Sequence, residues 1–252
     1  METEIRVLVT VGLMLLLIML RLEAEKFGAA EYDEADSEGR PPSLKWRLAW
    51  YLTGLVLLVA ADIVHPDAAS GLYLRLGDRV EAIVYGLAFA AVGTLQAVAF
   101  AWLRYRHLRL PPSRLYPGAL LNATATAFLD ESIFRGLLLA FLVGTGMDSS
   151  AANLIQALVY ALSTRLGARG RDPYMLVLVL VVGLFSGWLT MLTGGIGAAF
   201  LGHAITRFAV FLATGHAGRV APAGAEEEDI ARRRDLPAGW RPIGTEDGSS
   251  EG

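Results

Sequence analysis

From Pro173 to Thr206 the chain runs for 34 residues without Asp, Glu, Lys or Arg, and Ala82 to Leu103 gives another 22. A bilayer span needs about 20 predominantly apolar residues, so the longer run holds enough for nearly two. Such a segment satisfies its backbone hydrogen bonds internally as a helix. The 54% hydrophobic content and mean hydropathy of +0.45 fit either a large soluble domain or a polytopic membrane protein. Run length decides for the second.

Hydropathy and turn signals together predict seven spans: Ile5 to Leu22, Lys45 to Val64, Ala82 to Leu103, Gly118 to Val143, Ser150 to Leu166, Tyr174 to Leu192 and Ile196 to Ala213. Pro111, Pro112 and Pro117 punctuate the approach to the fourth, and Thr193-Gly194-Gly195 divides the long uncharged run. The first apolar run follows the non-basic leader METEIR and is flanked by Arg21 and Lys26 rather than by a small-residue cleavage site. It reads as a retained helix, not a signal peptide. Seventeen of the 22 Lys and Arg fall on one side of this partition, in the first loop with Arg21, Lys45 and Arg47 counted at its edges, in the third loop, in the fifth loop with Arg165, Arg169 and Arg171, and in the C-terminal tail. The positive-inside bias then puts the N-terminus outside and the C-terminus in the cytoplasm. The expectation is an all-α polytopic bundle over residues 1–214, with an acidic loop at about 23–44 and a disordered cytoplasmic tail over 215–252.

The absence of cysteine excludes disulfides, thiolate metal sites and cysteine nucleophiles. Net charge is only -3, and the positive residues form no groove-like cluster with interleaved aromatics, so nucleic acid is not an expected partner. The first loop, EAEKFGAAEYDEADSEGRPPS, and the tail, with its EEED and RRR blocks, read as solvated segments. No internal repeat points to a solenoid or an inverted-repeat transporter.

Against this background LDESIFRG, residues 129–136, places Asp130, Glu131 and Arg135 inside a span. An ionisable side chain at bilayer depth costs about 2.5–3.5 kcal/mol on insertion scales and is usually paired or functional. Glu131 and Arg135 are four apart and share a helical face. Asp130 is rotated by about 100 degrees and needs another partner. The seventh span supplies His203 and Arg207, again four apart. Packing of the two spans would assemble Asp130, Glu131, Arg135, Arg207 and His203 into a neutral network, with Arg207 as the carboxylates' expected partner. As chemistry, a buried carboxylate acting as base on water, with His203 as a donor, would support hydrolysis. A catalytic zinc site wants three protein ligands, and only His203 lies plainly within a span, so no metal and no other cofactor is expected.

Three ordered stretches, YPGALLNATATAFLDESIFRGLLLAFL, NLIQALVYALST and TGGIGAAFLGHAITRF, resemble the CPBP family of CAAX prenyl endopeptidases and bacteriocin-processing or immunity proteins, over Tyr116 to about Phe211. The resemblance implies a first motif, Glu-Glu-x-x-x-Arg, matched by Asp130, Glu131 and Arg135, whose first carboxylate activates water. It implies a second, Phe-x-x-x-His, matched by Tyr160 and Thr164, so that threonine stands where the water-holding histidine is expected. It implies a third, His-x-x-x-Asn, matched by His203 and Arg207, so that arginine stands in place of an oxyanion-stabilising asparagine.

By resemblance, the chain is an intramembrane peptide-bond hydrolase of the prokaryotic plasma membrane. Catalytic roles then fall to Asp130, Glu131, Arg135 and His203, and Tyr160, Thr164 and Arg207 line the cavity. The substitutions at Thr164 and Arg207 imply that proteolysis is weakened or lost. The alternative is a non-enzymatic or immunity-type membrane protein that binds a membrane-associated peptide or protein with the same cavity. A transporter using the buried charges is the third class.

Overall fold

The computed structural model describes residues 2–30, 44–105, 109–164, 173–214 and 241–242 of the chain. Its long helices are α1 (Glu2–Leu22), α2 (Leu44–Val64), α4 (Arg79–Tyr105), α5 (Tyr116–Glu131), α7 (Ser149–Ser163), α8 (Pro173–Thr193) and α9 (Gly197–Thr214), with a single turn, α3 (Ala68–Gly71), after α2. α5 continues without a break through a π-helical segment, Ser132–Leu139, into α6 (Ala140–Gly144). All seven predicted segments are helical over their described residues, with ends displaced by a few residues; Arg165 and Leu166, the predicted end of the fifth, lie outside the described residues. Four of them, Glu2–Leu22, Leu44–Val64, Arg79–Leu103 and Leu176–Thr193, are long and apolar enough to cross a bilayer, and Gly197–Ala213 is a shorter apolar helix.

Local chemistry sets the helix ends. Pro117 lies in the first turn of α5, where a missing N–H costs nothing. Asp148 caps α7, its carboxylate accepting from the backbone N–H groups of Ser150 and Ala151 at 3.0 and 3.1 Å. Beyond Leu22 the chain keeps turning until Gly28, whose φ of 64° ends it. Gly28 N–H then donates to Glu25 O and Ala29 N–H to Ala24 O, both at 2.9 Å. This is a Schellman closure, and its two apolar positions, Ala24 and Ala29, are fully buried. Of the acidic loop expected from residue 23, residues 23–30 are described: Glu25 and Lys26 are exposed, while Ala24 and Ala29 dock on the bundle. Residues 31–43 lie outside the described residues, as do the loop-five arginines Arg165, Arg169 and Arg171 and most of the tail. Within the tail, Arg241–Pro242 pairs antiparallel with Arg109–Leu110.

α1 and α2 form an antiparallel pair. Arg6 Nε donates to Val64 O at 2.8 Å at one end, and Trp50 Nε1 donates to Leu20 O at 2.8 Å at the other. Arg6 thus supplies a donor and a positive charge to the carbonyl end of α2. α4 lies along α9 through an alanine seam of Ala97, Ala101, Ala209 and Ala213, and α7 packs on α8. There Gln156 Nε2 and Asn153 Nδ2 donate to Gly183 O and Leu184 O, each at 2.9 Å, across a small-residue face.

The helix from α5 to α6 is the centre of the bundle. Every residue from Leu129 to Ala140 is buried, on all faces. Leu17, Trp50, Leu129, Ile133, Phe134 and Leu137 form the main apolar core around it. Gly136 lets Leu74 come flush against the π segment, and its carbonyl accepts from Tyr73 N–H at 3.1 Å. The outward faces are apolar instead: Leu8, Ile63, Val80 and Leu95 are each about 70% exposed. So inverted an arrangement suits a lipid solvent, and the chain is a helical membrane protein.

Candidate functional site

Asp130, Glu131 and Arg135 straddle the junction between α5 and the π segment, and each has no exposed surface. π-helical turns are rare and recur at functional sites. Glu131 Oε2 is 3.3 Å from Arg135 Nε, the pairing that the four-residue spacing predicts. Its other oxygen, Oε1, is 2.7 Å from His203 Nδ1, so α9 packs its histidine on the central helix. His203 Nε2 in turn lies 3.3 Å from the Tyr160 hydroxyl on α7. The Tyr160 ring closes the circle, with the Arg135 guanidinium 4.3 Å from its centroid in a cation–π contact. Glu131, Arg135, Tyr160 and His203 are thus one connected unit built from three helices.

Asp130 belongs to a different pair. Arg21 Nε donates to its Oδ1 at 2.5 Å and Arg21 Nη2 to its Oδ2 at 3.3 Å, with Arg21 itself 4% exposed. A planar guanidinium facing both carboxylate oxygens is the strong form of this interaction. Spacing along α5 offers Asp130 no partner on its own helix, and the structure supplies one from α1, 109 residues away. Arg21 closes an apolar run, so it reads in sequence as a flanking loop charge. Here its helix carries it into the bundle. Arg47, also placed with the loop charges, is buried too and donates to Gly28 O at 2.6 Å.

The expected pairing of Arg207 with the carboxylates is corrected. Arg207 Nη2 donates instead to Ala30 O at 2.6 Å, and no ion pair joins Arg207 to Asp130 or Glu131 among the described residues. The reason is height along α9. His203 occupies the level of Glu131, and one turn further on Arg207 has passed the carboxylates and reached the segment that follows α1. Thr164, at the end of α7, turns its hydroxyl back to Ala161 O at 2.7 Å.

Two further residues belong to the same region. Asn122 and Thr126 precede Asp130 at four-residue intervals and so share its face of α5. Asn122 Nδ2 and Thr126 Oγ1 both donate to Ala29 O at 3.0 Å, and Asn122 Nδ2 also donates to the Tyr51 hydroxyl oxygen at 2.8 Å. Their spacing was legible, but nothing in the sequence shows what they bind. Among the described residues no group of three or more His, Asp or Glu side chains is arranged to hold a metal ion.

No curated protein and no solved structure matches the chain. Residues 112–209, running from the approach to α5 into α9, match the model of the family described as type II CAAX prenyl endopeptidase Rce1-like, and the chain carries a domain of that family there.

Proposed function

We propose that this protein is a CAAX-endopeptidase-type membrane protein whose peptide-bond hydrolysis is weakened or lost, the ancestral site being retained as an ion-paired polar core. One observation carries the reading. Asp130, which stands where the family's water-activating carboxylate is expected, is fully buried with both oxygens facing the Arg21 guanidinium. A general base must reach a water within hydrogen-bond distance of the reacting carbonyl. Here that approach is filled by Arg21. The substituted motif positions agree: Thr164 bonds its own helix and Arg207 bonds a backbone carbonyl of the same chain.

The retained Glu131–His203–Tyr160 chain supports the residual-activity form of the same reading, since a carboxylate-oriented histidine is a general-base arrangement. The seven predicted segments as seven spans, the cytoplasmic C-terminus and the prokaryotic plasma membrane complete the proposal. The burial of Arg21 and Arg47 removes two of the loop-one charges from the orientation argument and leaves its sign unchanged.

The test is hydrolysis of a prenylated CAAX peptide by full-length protein reconstituted in liposomes. The expected outcome is no cleavage above that of the Glu131→Ala variant, with measurable cleavage after Thr164→His and Arg207→Asn are combined with Arg21→Leu. Robust wild-type cleavage that Asp130→Asn abolishes would overturn it.

A further inference from the structure

We propose that the polar lane between α5 and α9 is a binding site for an arginine-bearing peptide segment, occupied in this chain by its own residues Arg21 to Ala30. The inference rests on the reading of the site as a non-hydrolytic polar core.

The lane has two walls. Asn122, Thr126 and Asp130 form one stripe on α5, and Arg207 on α9 holds the same stretch of chain. A single continuous stretch of chain fills it. The Arg21 guanidinium sits on Asp130, the Ala29 carbonyl accepts from Asn122 and Thr126, and the Ala30 carbonyl accepts from Arg207. The preceding carbonyl, of Gly28, accepts from Arg47 on α2. Three consecutive main-chain carbonyls are therefore held by side chains from three helices, while residues 28–30 offer only a hydrogen and two methyl groups of their own.

That is the chemistry of backbone recognition, in which main-chain hydrogen bonds hold a segment and one anchoring side chain selects it. The anchor here is a guanidinium on a buried carboxylate, the pairing that lysine serves least well because it lacks the fork geometry. The occupant also comes from outside the domain that forms the lane. Arg21 to Ala30 precede the matched stretch by some 80 residues, and α1 is packed chiefly on α2. The lane thus recognises the arginine and the small-residue backbone of a neighbouring segment, and a peptide of the same character competes for it when the internal segment is withdrawn.

The probe is a fluorescein-labelled peptide with the sequence of residues 20–30, LRLEAEKFGAA, followed by anisotropy with full-length protein in detergent micelles. The Arg21→Ala variant is expected to bind it at least about tenfold more tightly than wild type. Replacing the peptide's arginine by alanine, or adding Asp130→Asn, is expected to remove that gain. A folded Arg21→Ala protein that binds no better than wild type, or a gain indifferent to Asp130→Asn, would overturn the proposal. If Arg21→Ala does not fold, the cysteine-free chain allows a second measurement. Maleimide should react slowly with an Ala29→Cys thiol, and about fivefold faster or more when Arg207→Ala is added, as the segment opens. Equal rates would equally overturn it. The outcome is separable from the hydrolysis reading: peptide that is bound and cleaved refutes only the latter, and absence of both binding and cleavage refutes only this inference.

Discussion

Arg21→Ala removes the partner that Asp130 has among the described residues. Both members of the pair are almost completely buried, at 4% and 0% exposure, so solvent cannot screen the carboxylate left behind. Breaking a buried pair from one side costs about 3–5 kcal/mol, against about 0–1 kcal/mol for an exposed one. Arg207→Ala is the instructive control, because the sequence pointed to Arg207 as the partner. It removes a charged donor from one backbone carbonyl, worth about 1.5–3 kcal/mol, and orphans no carboxylate. For a chain of this size each kcal/mol moves Tm by about 2–4 °C, so Arg21→Ala should lower the midpoint by about 6–20 °C. Thermal unfolding in detergent, read by tryptophan fluorescence and circular dichroism, measures it. The double variant Arg21→Met with Asp130→Leu should recover most of the loss, since an apolar pair of similar volume leaves no buried carboxylate unpaired. A midpoint for Arg21→Ala no lower than that for Arg207→Ala, or no recovery in the double variant, would refute the assignment of Arg21 as the partner.

Other changes test the rest of the site. Tyr160→Phe keeps the ring against Arg135 and loses only the hydroxyl contact to His203, an expected cost of about 0.5–1.5 kcal/mol in the same assay, whereas Tyr160→Ala should cost about 3–5 kcal/mol. Glu131→Ala leaves both Arg135 and His203 without their carboxylate and is expected to destabilise by about 3 kcal/mol or more, visible as loss of monodisperse protein in size exclusion. Gly136→Val forces branched carbons against Leu74 and should cost about 1–3 kcal/mol of overpacking. Raising salt from about 0.05 to 0.5 M should leave the midpoint gap between wild type and Arg21→Ala nearly unchanged, because buried pairs are screened far less than exposed ones.

Helical segments, a lipid-exposed surface and the Glu131–Arg135 pair were legible because each depends on residues close in sequence. Run length identifies an apolar helix, and four-residue spacing puts two side chains on one face whatever surrounds them. The resemblance located Tyr160, Thr164, His203 and Arg207 through their order along the chain. It did not reveal their contacts: His203 reaches Glu131 and Tyr160, while Arg207 reaches Ala30. The π segment after Glu131 also carried no sequence signal.

What the sequence by itself determined is therefore the class of molecule, an all-helical membrane protein with an ionisable cluster on its central helix. What only the tertiary structure decided is who neutralises whom. Arg21 at the end of one apolar helix and Arg207 inside another are chemically identical side chains, and composition cannot rank them as partners for Asp130. The choice is made by axial level in the bundle: α1 delivers Arg21 to the height of Asp130, and α9 delivers Arg207 one turn too far. A charge pair forms where two helices bring opposite charges within a few ångströms, and that register is set by packing across the whole bundle.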